Sequence, residues 1–259
     1  MGYTMITGAT GGLGKAFCKA LVLTDNLFLT GRSDEKLLAL KEELLKINKD
    51  AKIEVFIANL TSVEDRKKLF EFIDEKKIRF DGLINVAGVD TQKKFTDYTQ
   101  EKIVFQLRVN VEATISITHE VLSRREEYIK ILTVASMSGT VPMPYFAIYS
   151  ATKDCLINFF YALRYEVEKA KITTLIPGGI PTREDIIKDI EIQGITGKLS
   201  SKSPEFVVKK GLLALEKNKA KVIPGFFNKT VCFIERITPK SLQCRYVAKK
   251  WSKKTKDNF

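Results

Sequence analysis

Short apolar runs alternate with segments of helical period along most of this 259-residue chain, and no other feature restricts its fold as much. "YTMIT" precedes "LGKAFCKALVL", "LFLT" precedes the charged "SDEKLLALKEELLKI", and "IEVFIA" precedes "SVEDRKKLFEFIDE". "GLINVA" leads to one long helix through Val109, and "IKILTVA" to a helix from Tyr149 to Val167 that ends before "KITTLIP". Strand, helix and strand in repetition predict a parallel sheet covered on both faces. Right-handed crossovers make it a doubly wound α/β sheet, with ligands at the carboxyl ends of the strands. Ser33 before "DEKL" and Ser62 before "VEDR" are the expected N-caps of two of its helices.

"TGATGGLG", residues 7–14, falls between the first strand and the first helix. Gly8 permits a tight turn, Gly12 lets the backbone approach a pyrophosphate, and Gly14 lets the helix pack close to the sheet, with its amino end toward the phosphates. Leu13, Phe17 and Leu21 form the expected inward face of that helix. The second strand ends in "LFLTGRS", where an acid would bind a ribose 2′-hydroxyl and an arginine a 2′-phosphate. Arg32 therefore points to NADP(H) in preference to NAD(H), with Asp34 and Glu35 read as first-turn helix residues.

"YSATK", residues 149–153, sets Tyr149 four places before Lys153. On a helix the two share a face, where an ammonium can draw a phenol's pKa down from near 10 toward the working range. The same pentapeptide also suits the start of an ordinary amphipathic helix in a Lys-rich chain.

Together these stretches resemble the short-chain dehydrogenase/reductase family, NADP-dependent type, over roughly residues 1–220. The resemblance implies a Rossmann-like fold and hydride transfer between a nicotinamide and a carbonyl or alcohol carbon. It implies a catalytic set of Asn110 in "RVNVEA", Ser136 in "VASMSG", Tyr149 and Lys153. Ser136 and Tyr149 would bind the carbonyl oxygen, and Tyr149 would donate the proton. Lys153 would hold the ribose and keep Tyr149 acidic, and Asn110 would anchor a water reconnecting Lys153 to solvent. Cofactor contacts are implied at Gly8, Thr10, Gly12, Leu13 and Gly14 of the glycine loop, and at Arg32, Asn59 and Leu60. Further contacts are implied at Asn85, Ala87 and Gly88 of "NVAG", at Tyr149 and Lys153, and at Pro177, Gly178, Ile180 and Thr182 of "PGGIPT". Two residues depart from the pattern: Asn59 stands where an aspartate near adenine is usual, and Val86 replaces the second asparagine of N-N-A-G.

The expected activity is NADPH-dependent reduction of an apolar ketone, 3-oxoacyl or sterol-like, or the reverse alcohol oxidation. The alternative is a non-catalytic NADP(H)-binding sensor or scaffold whose basic tail binds a partner. Ile186, Ile187, Ile190 and Ile192, between Thr182 and Pro204, would form an apolar lid hinged at Gly194 and Gly197, or else one face of a plain surface helix. Residues 221–259 read as a basic, amphipathic helical extension beyond the 1–220 domain. From Lys217 onward twelve Lys or Arg face two acids, Glu235 and Asp257, so +10 of the formal +12 net charge is C-terminal. Phe227, Val231 and Ile234 fall on one helical face there, with Leu242, Tyr246 and Trp251 among lysines. That combination suits contact with an anionic membrane surface, a sister subunit or the substrate pocket. No specific nucleic-acid motif accompanies the charge. The four cysteines, Cys18, Cys155, Cys232 and Cys244, lack any C-x-x-C spacing, so neither a disulfide frame nor a metal site is expected. His119 follows an apolar-periodic stretch and reads as a helix residue. A cytoplasmic protein is expected, since no leader precedes the first apolar run and no run is long enough to span a bilayer. The family resemblance adds the expectation of a homo-oligomer.

Overall fold

The computed structural model describes residues 2–192 and 194–252. Seven strands form one parallel sheet: β1 (Tyr3–Thr7), β2 (Asn26–Gly31), β3 (Ile53–Ile57), β4 (Phe80–Asn85), β5 (Arg125–Val134), β6 (Ala170–Leu175) and β7 (Lys221–Val222). Their order is β3-β2-β1-β4-β5-β6-β7. The chain moves outward from β1 in one direction through β2 and β3, then returns to β4 on the other side of β1, so its connections diverge between β1 and β4. A crevice opens there at the carboxyl ends of the strands, as in other doubly wound sheets.

The helices divide between the two faces. On one, α1 (Gly12–Leu21), α2 (Asp34–Ile47) and α9 (Pro204–Glu216) bury Phe17, Leu37, Leu40, Leu44, Val208 and Leu215 against the sheet. On the other lie α3 (Val63–Glu75), the run α4 (Gln100–Leu107) and α5 (Ala113–Ser123), and α6 (Ala147–Glu166), which bury Leu69, Ile73, Ile117, Leu156 and Phe160. Ser33 and Ser62 cap α2 and α3 as expected, accepting from the backbone N–H of Lys36 and Asp65. Leu13 and Phe17 are buried, and Leu21 packs against the same core.

The long helix expected through Val109 is interrupted. A single π turn over Arg108–Glu112 separates α4 from α5, with Asn110 at its centre and buried. No Gly or Pro interrupts this stretch, so apolar period gives no sign of the extra residue; the turn is held by what Asn110 and Glu112 bind, and π turns concentrate at functional sites.

The segment after β6 forms two short helices, α7 (Glu184–Ile192) and α8 (Gly194–Ser200). Gly194 has φ +60°, the left-handed conformation that favours glycine, at the start of α8. Beyond β7 the chain ends in two further helices, α10 (Phe226–Ile237) and α11 (Lys240–Trp251). Among the described residues no helix is long and apolar enough to cross a membrane.

Phe160 is fully buried, on the same helix as Tyr149. Phe160→Ala is expected to destabilise the fold by about 3–5 kcal/mol, read as a lowered urea midpoint with an unchanged slope.

Candidate active site

The glycine loop is shaped by contacts that exclude side chains. Gly8 has φ +64°, and a Cβ there would lie 2.9 Å from the Cα of Ala87, so "NVAG" packs directly over the turn. A Cβ on Gly14 would stand 2.2 Å from the Gly8 carbonyl oxygen, and one on Gly12 would lie 2.6 Å from the Cβ of Thr182. Gly12 thus admits the close approach of the "PGGIPT" segment. The N-cap of α1, Gly11, makes no side-chain cap bond, and no acid occupies the first turn. The orphan N–H donors and positive end of the helix dipole at that terminus fit an anionic group such as a dinucleotide's phosphates.

Several of the expected cofactor residues sit at the ends of the neighbouring strands. Arg32 is exposed just past β2, and Asp34 and Glu35 lie in the first turn of α2 as expected. Thr10 neighbours the end of β2, its Oγ1 3.5 Å from where a Cβ on Gly31 would be. Asn59, which is exposed, and the buried Leu60 follow β3. Their loop is held by the buried Arg66, which donates to the Leu60 carbonyl at 2.5 Å and to Glu112 of the π turn at 2.5 Å. Sequence reading gave Arg66 no role; its partners are six and 46 residues away. Asn85 is buried and braces the sheet, donating to the Oγ1 of Thr118 at 3.1 Å and of Thr133 at 3.2 Å.

Three of the four expected catalytic residues line one cavity of about 530 Å³: Ser136, Tyr149 and Lys153. Leu13, Gly88, Pro177, Gly178, Ile180 and Thr182 line it too. Ser136 ends the strand-to-turn junction after β5, where its Oγ accepts the Ser138 N–H at 3.1 Å, and its hydroxyl is near enough to the Tyr149 phenol to favour the ionised form. Lys153, one helical turn on from Tyr149, is 3% exposed and donates to the Val134 carbonyl at 3.0 Å. Its Nζ lies 5.7 Å from the centre of the Tyr149 ring.

Asn110 stands behind this wall. Its Oδ1 accepts the Val89 N–H at 2.8 Å, and its Nδ2 donates to the Val89 carbonyl at 2.9 Å and to Thr152 Oγ1 at 3.0 Å. Thr152 in turn donates to the Tyr149 carbonyl at 2.7 Å. Asn110 therefore couples the segment after β4 to the first turn of α6. A Cβ on Gly88 would lie 3.2 Å from Lys153 Nζ and 3.4 Å from Asn110 Oδ1, so Gly88 lets these two groups face each other closely.

The expected depression of the Tyr149 pKa does not follow from this arrangement. Burial pushes the phenol well above its ordinary value; the Asp90 carboxylate raises it further, against lowering by the Ser136 hydrogen bond and Arg183. Lys153 has the opposite response: burial pushes its ammonium down to about 8, although Asp90 favours the charged form. The helical spacing of "YSATK" brings the pair together but says nothing about how dry their surroundings are, and desolvation is the larger effect on both. Asp90 and Arg183 themselves form an ion pair at 3.0 Å, bridging the segments that follow β4 and β6.

The remaining wall is largely apolar, with Val141, Met143, Phe146, Ile186 and Ile190 on it. Ile187 and Ile192, expected in the same apolar lid, are instead 41% and 71% exposed. One face of α7 meets the cavity, and a helix turns its other residues outward. The C-terminal helices complete the lining with Phe227, Val231, Glu235, Tyr246, Val247 and Trp251. Ile234, read with Phe227 and Val231 as one face, is half exposed, and Glu235 takes the inward place. Glu235 accepts from Thr140 Oγ1 at 3.1 Å, next to the Ser136 turn, and burial raises its pKa. Phe146 stacks on Tyr149 at 4.5 Å and on Trp251 at 6.2 Å, an aromatic column from the C-terminal helix to the phenol.

The sequence model described as short chain dehydrogenase matches residues 3–188. The chain belongs to this family. Its members are oxidoreductases that act on CH–OH and C=O groups and bind NAD(P)(H). A curated relative, the 11-beta-hydroxysteroid dehydrogenase-like 3 protein of Arabidopsis thaliana, is 32% identical over 185 residues, 69% of this chain and 59% of the relative's length. Among solved structures, one of a 7beta-hydroxysteroid dehydrogenase superposes with a TM-score of 0.83 at 23% identity, covering 95% of this chain and 96% of the other. A short-chain dehydrogenase from Sphingobium yanoikuyae in complex with NADPH gives a TM-score of 0.74 at 21% identity, covering 93% and 98%.

The buried ammonium of Lys153 has a measurable consequence for stability. A depressed pKa means that the unfolded chain binds the proton more tightly, so the cost is full below pH 8 and fades as pH rises toward 10.5. That displacement corresponds to roughly 3 kcal/mol, against about 1 kcal/mol for the hydrogen bond to Val134. Lys153→Met is expected to raise the unfolding free energy by about 2 kcal/mol at pH 7, with the gain vanishing at pH ~10 and reversing above it. Chemical denaturation across that range measures it.

Proposed function

We propose that this chain is an NADPH-dependent carbonyl reductase, or alcohol dehydrogenase in reverse, whose substrate carries its ketone or hydroxyl on a large apolar, sterol-like skeleton. The observation that carries the reading is the Ser136–Tyr149 hydroxyl pair on the wall of a largely apolar cavity, with Lys153 buried beneath it. The hydroxysteroid dehydrogenase-like name of the Arabidopsis relative supports the substrate class. Residues 1–220 supply the catalytic groups and those that would hold the cofactor, and Phe227, Val231, Tyr246, Val247 and Trp251 of the extension supply part of the substrate cavity.

In reduction, the hydroxyls of Ser136 and Tyr149 donate to the substrate oxygen, where negative charge grows in the transition state. The bound dinucleotide would supply the hydride. Tyr149, held protonated by its dry surroundings, gives its proton to the forming alkoxide as general acid. Lys153, its ammonium pushed down to about 8 by burial, would exchange a proton at the base of the site and hold the ribose hydroxyls. Asn110 fixes the first turn of α6 through Thr152 and faces Lys153 across Gly88. Gly8, Thr10, Gly12, Leu13 and Gly14 would hold the pyrophosphate, Arg32 the 2′-phosphate, and Asn59 and Leu60 the adenine side. Asn85, Ala87, Gly88, Pro177, Gly178, Ile180 and Thr182 would border the nicotinamide half.

NADPH oxidation against a panel of sterol-like ketones and 3-oxoacyl thioesters tests the reading. Tyr149→Phe is expected to lower kcat by about 10³-fold or more with NADPH binding nearly unchanged. Retained turnover would overturn the assignment, and NADPH binding without turnover of any carbonyl would favour a sensor. Arg32→Ala is expected to raise the KM for NADPH about tenfold and leave that for NADH unchanged.

A further inference from the structure

Helix α10 is amphipathic in two directions. Its inward side, Phe227, Val231 and Glu235, lines the cavity, and Asn228 is fully buried at its base. Its outward side should then be polar, as on an ordinary surface helix. It is not: Phe226, Phe233 and Ile237 are 86%, 65% and 68% exposed. Spaced seven and four residues apart, they form one stripe along the solvent side, with only Thr230 polar among them. Lys229 and Arg236 lie on one flank of that stripe, at the same helical spacing. Leu242 and Tyr246 of α11 are 52% and 68% exposed, and α8, which packs on α10, exposes Ile195 at 79%.

We propose that this outer face of the C-terminal helix pair docks on an anionic lipid bilayer, with the aromatic stripe in the headgroup boundary and the basic side chains on the lipid phosphates. The charge identifies the occupant. Residues 226–252 carry Lys229, Arg236, Lys240, Arg245, Lys249 and Lys250 against the single acid Glu235. Glu235 is turned inward onto Thr140 and Lys250 lines the cavity, which leaves Lys229, Arg236, Lys240, Arg245 and Lys249 as the exposed charges, all of them basic. A second copy of the chain docked about a two-fold axis would bring this basic face against itself, whereas an anionic bilayer meets both the charge and the apolar stripe. The two faces of α10 also connect the chemistry: the helix that would lie on the lipid surface is a wall of the apolar cavity, so a lipid-dissolved substrate need not cross bulk water to reach Ser136 and Tyr149. That last step rests on the reductase reading; the docking itself does not.

Flotation of the full chain with phosphatidylcholine vesicles, with and without phosphatidylserine, tests the proposal. The chain is expected to float with the phosphatidylserine vesicles and to be released by molar salt. The double variant Phe226→Ser, Phe233→Ser alters only solvent-facing side chains and is expected to weaken partitioning about tenfold or more, with turnover of a water-soluble ketone unchanged. Lys229→Glu with Arg236→Glu is expected to abolish the preference for phosphatidylserine. Absence from the floated fraction with both vesicles would overturn the proposal, as would flotation that the serine variant leaves intact. A dimer in solution that the serine variant dissociates would assign the stripe to a second copy and overturn it too. Flotation by a chain that reduces no carbonyl would uphold the docking while refuting the reductase.

Discussion

The divergence of the chain on either side of β1 is the constraint on which the rest of this structure depends. Parallel strands need long crossovers, and when the crossovers on either side of β1 run in opposite directions the segments beyond the strand ends part to leave a crevice. The resulting crevice receives the glycine loop after β1, "NVAG" after β4, the Ser136 turn after β5 and "PGGIPT" after β6. Each segment is then fixed by close contact with another, as when Gly8 meets Ala87 and Gly12 meets Thr182. The site is a product of the topology before any side chain contributes chemistry.

Into that crevice the fold places groups that oppose its own stability. Lys153 is buried and donates to the Val134 backbone carbonyl, and Tyr149 is dry enough to keep its proton. Both are tolerated because Asn110, Thr152 and Val89 hold the surrounding backbone through a set of buried hydrogen bonds. The π turn belongs to the same arrangement: it carries Asn110 at its centre and Glu112 at its end, which receives the buried Arg66. Buried ionisable groups are concentrated where the chemistry would occur, as expected of a site organised for function at some expense to folding.

The C-terminal helices extend this arrangement past the part of the chain covered by the family's sequence model. They contribute Phe227, Val231 and Trp251 to the cavity and meet the catalytic side through Glu235 on Thr140 and Trp251 on Phe146. The size and shape of the cavity are therefore set partly by residues outside the shared core, consistent with one fold serving many substrates through variable additions.

The sequence by itself determined the strand and helix succession, the caps at Ser33 and Ser62 and the glycine loop, and through the family resemblance it singled out Ser136, Tyr149, Lys153 and Asn110 as candidates, because these depend on local period, spacing or a short motif. Tertiary structure decided whatever depends on which distant segments meet. The π turn at Asn110 is invisible to helical period because its cause is a set of bonds to Val89 and Thr152. Arg66 became a buried brace only when Glu112 was brought to it. Ile186 and Ile190 were turned toward the cavity and Ile187 and Ile192 away by the seat of α7, which spacing alone cannot orient. The pKa directions of Tyr149 and Lys153 followed burial, a property of the assembled cavity. A sequence gives a side chain its chemistry and its neighbours one turn away; only packing gives it a dielectric and its distant partners.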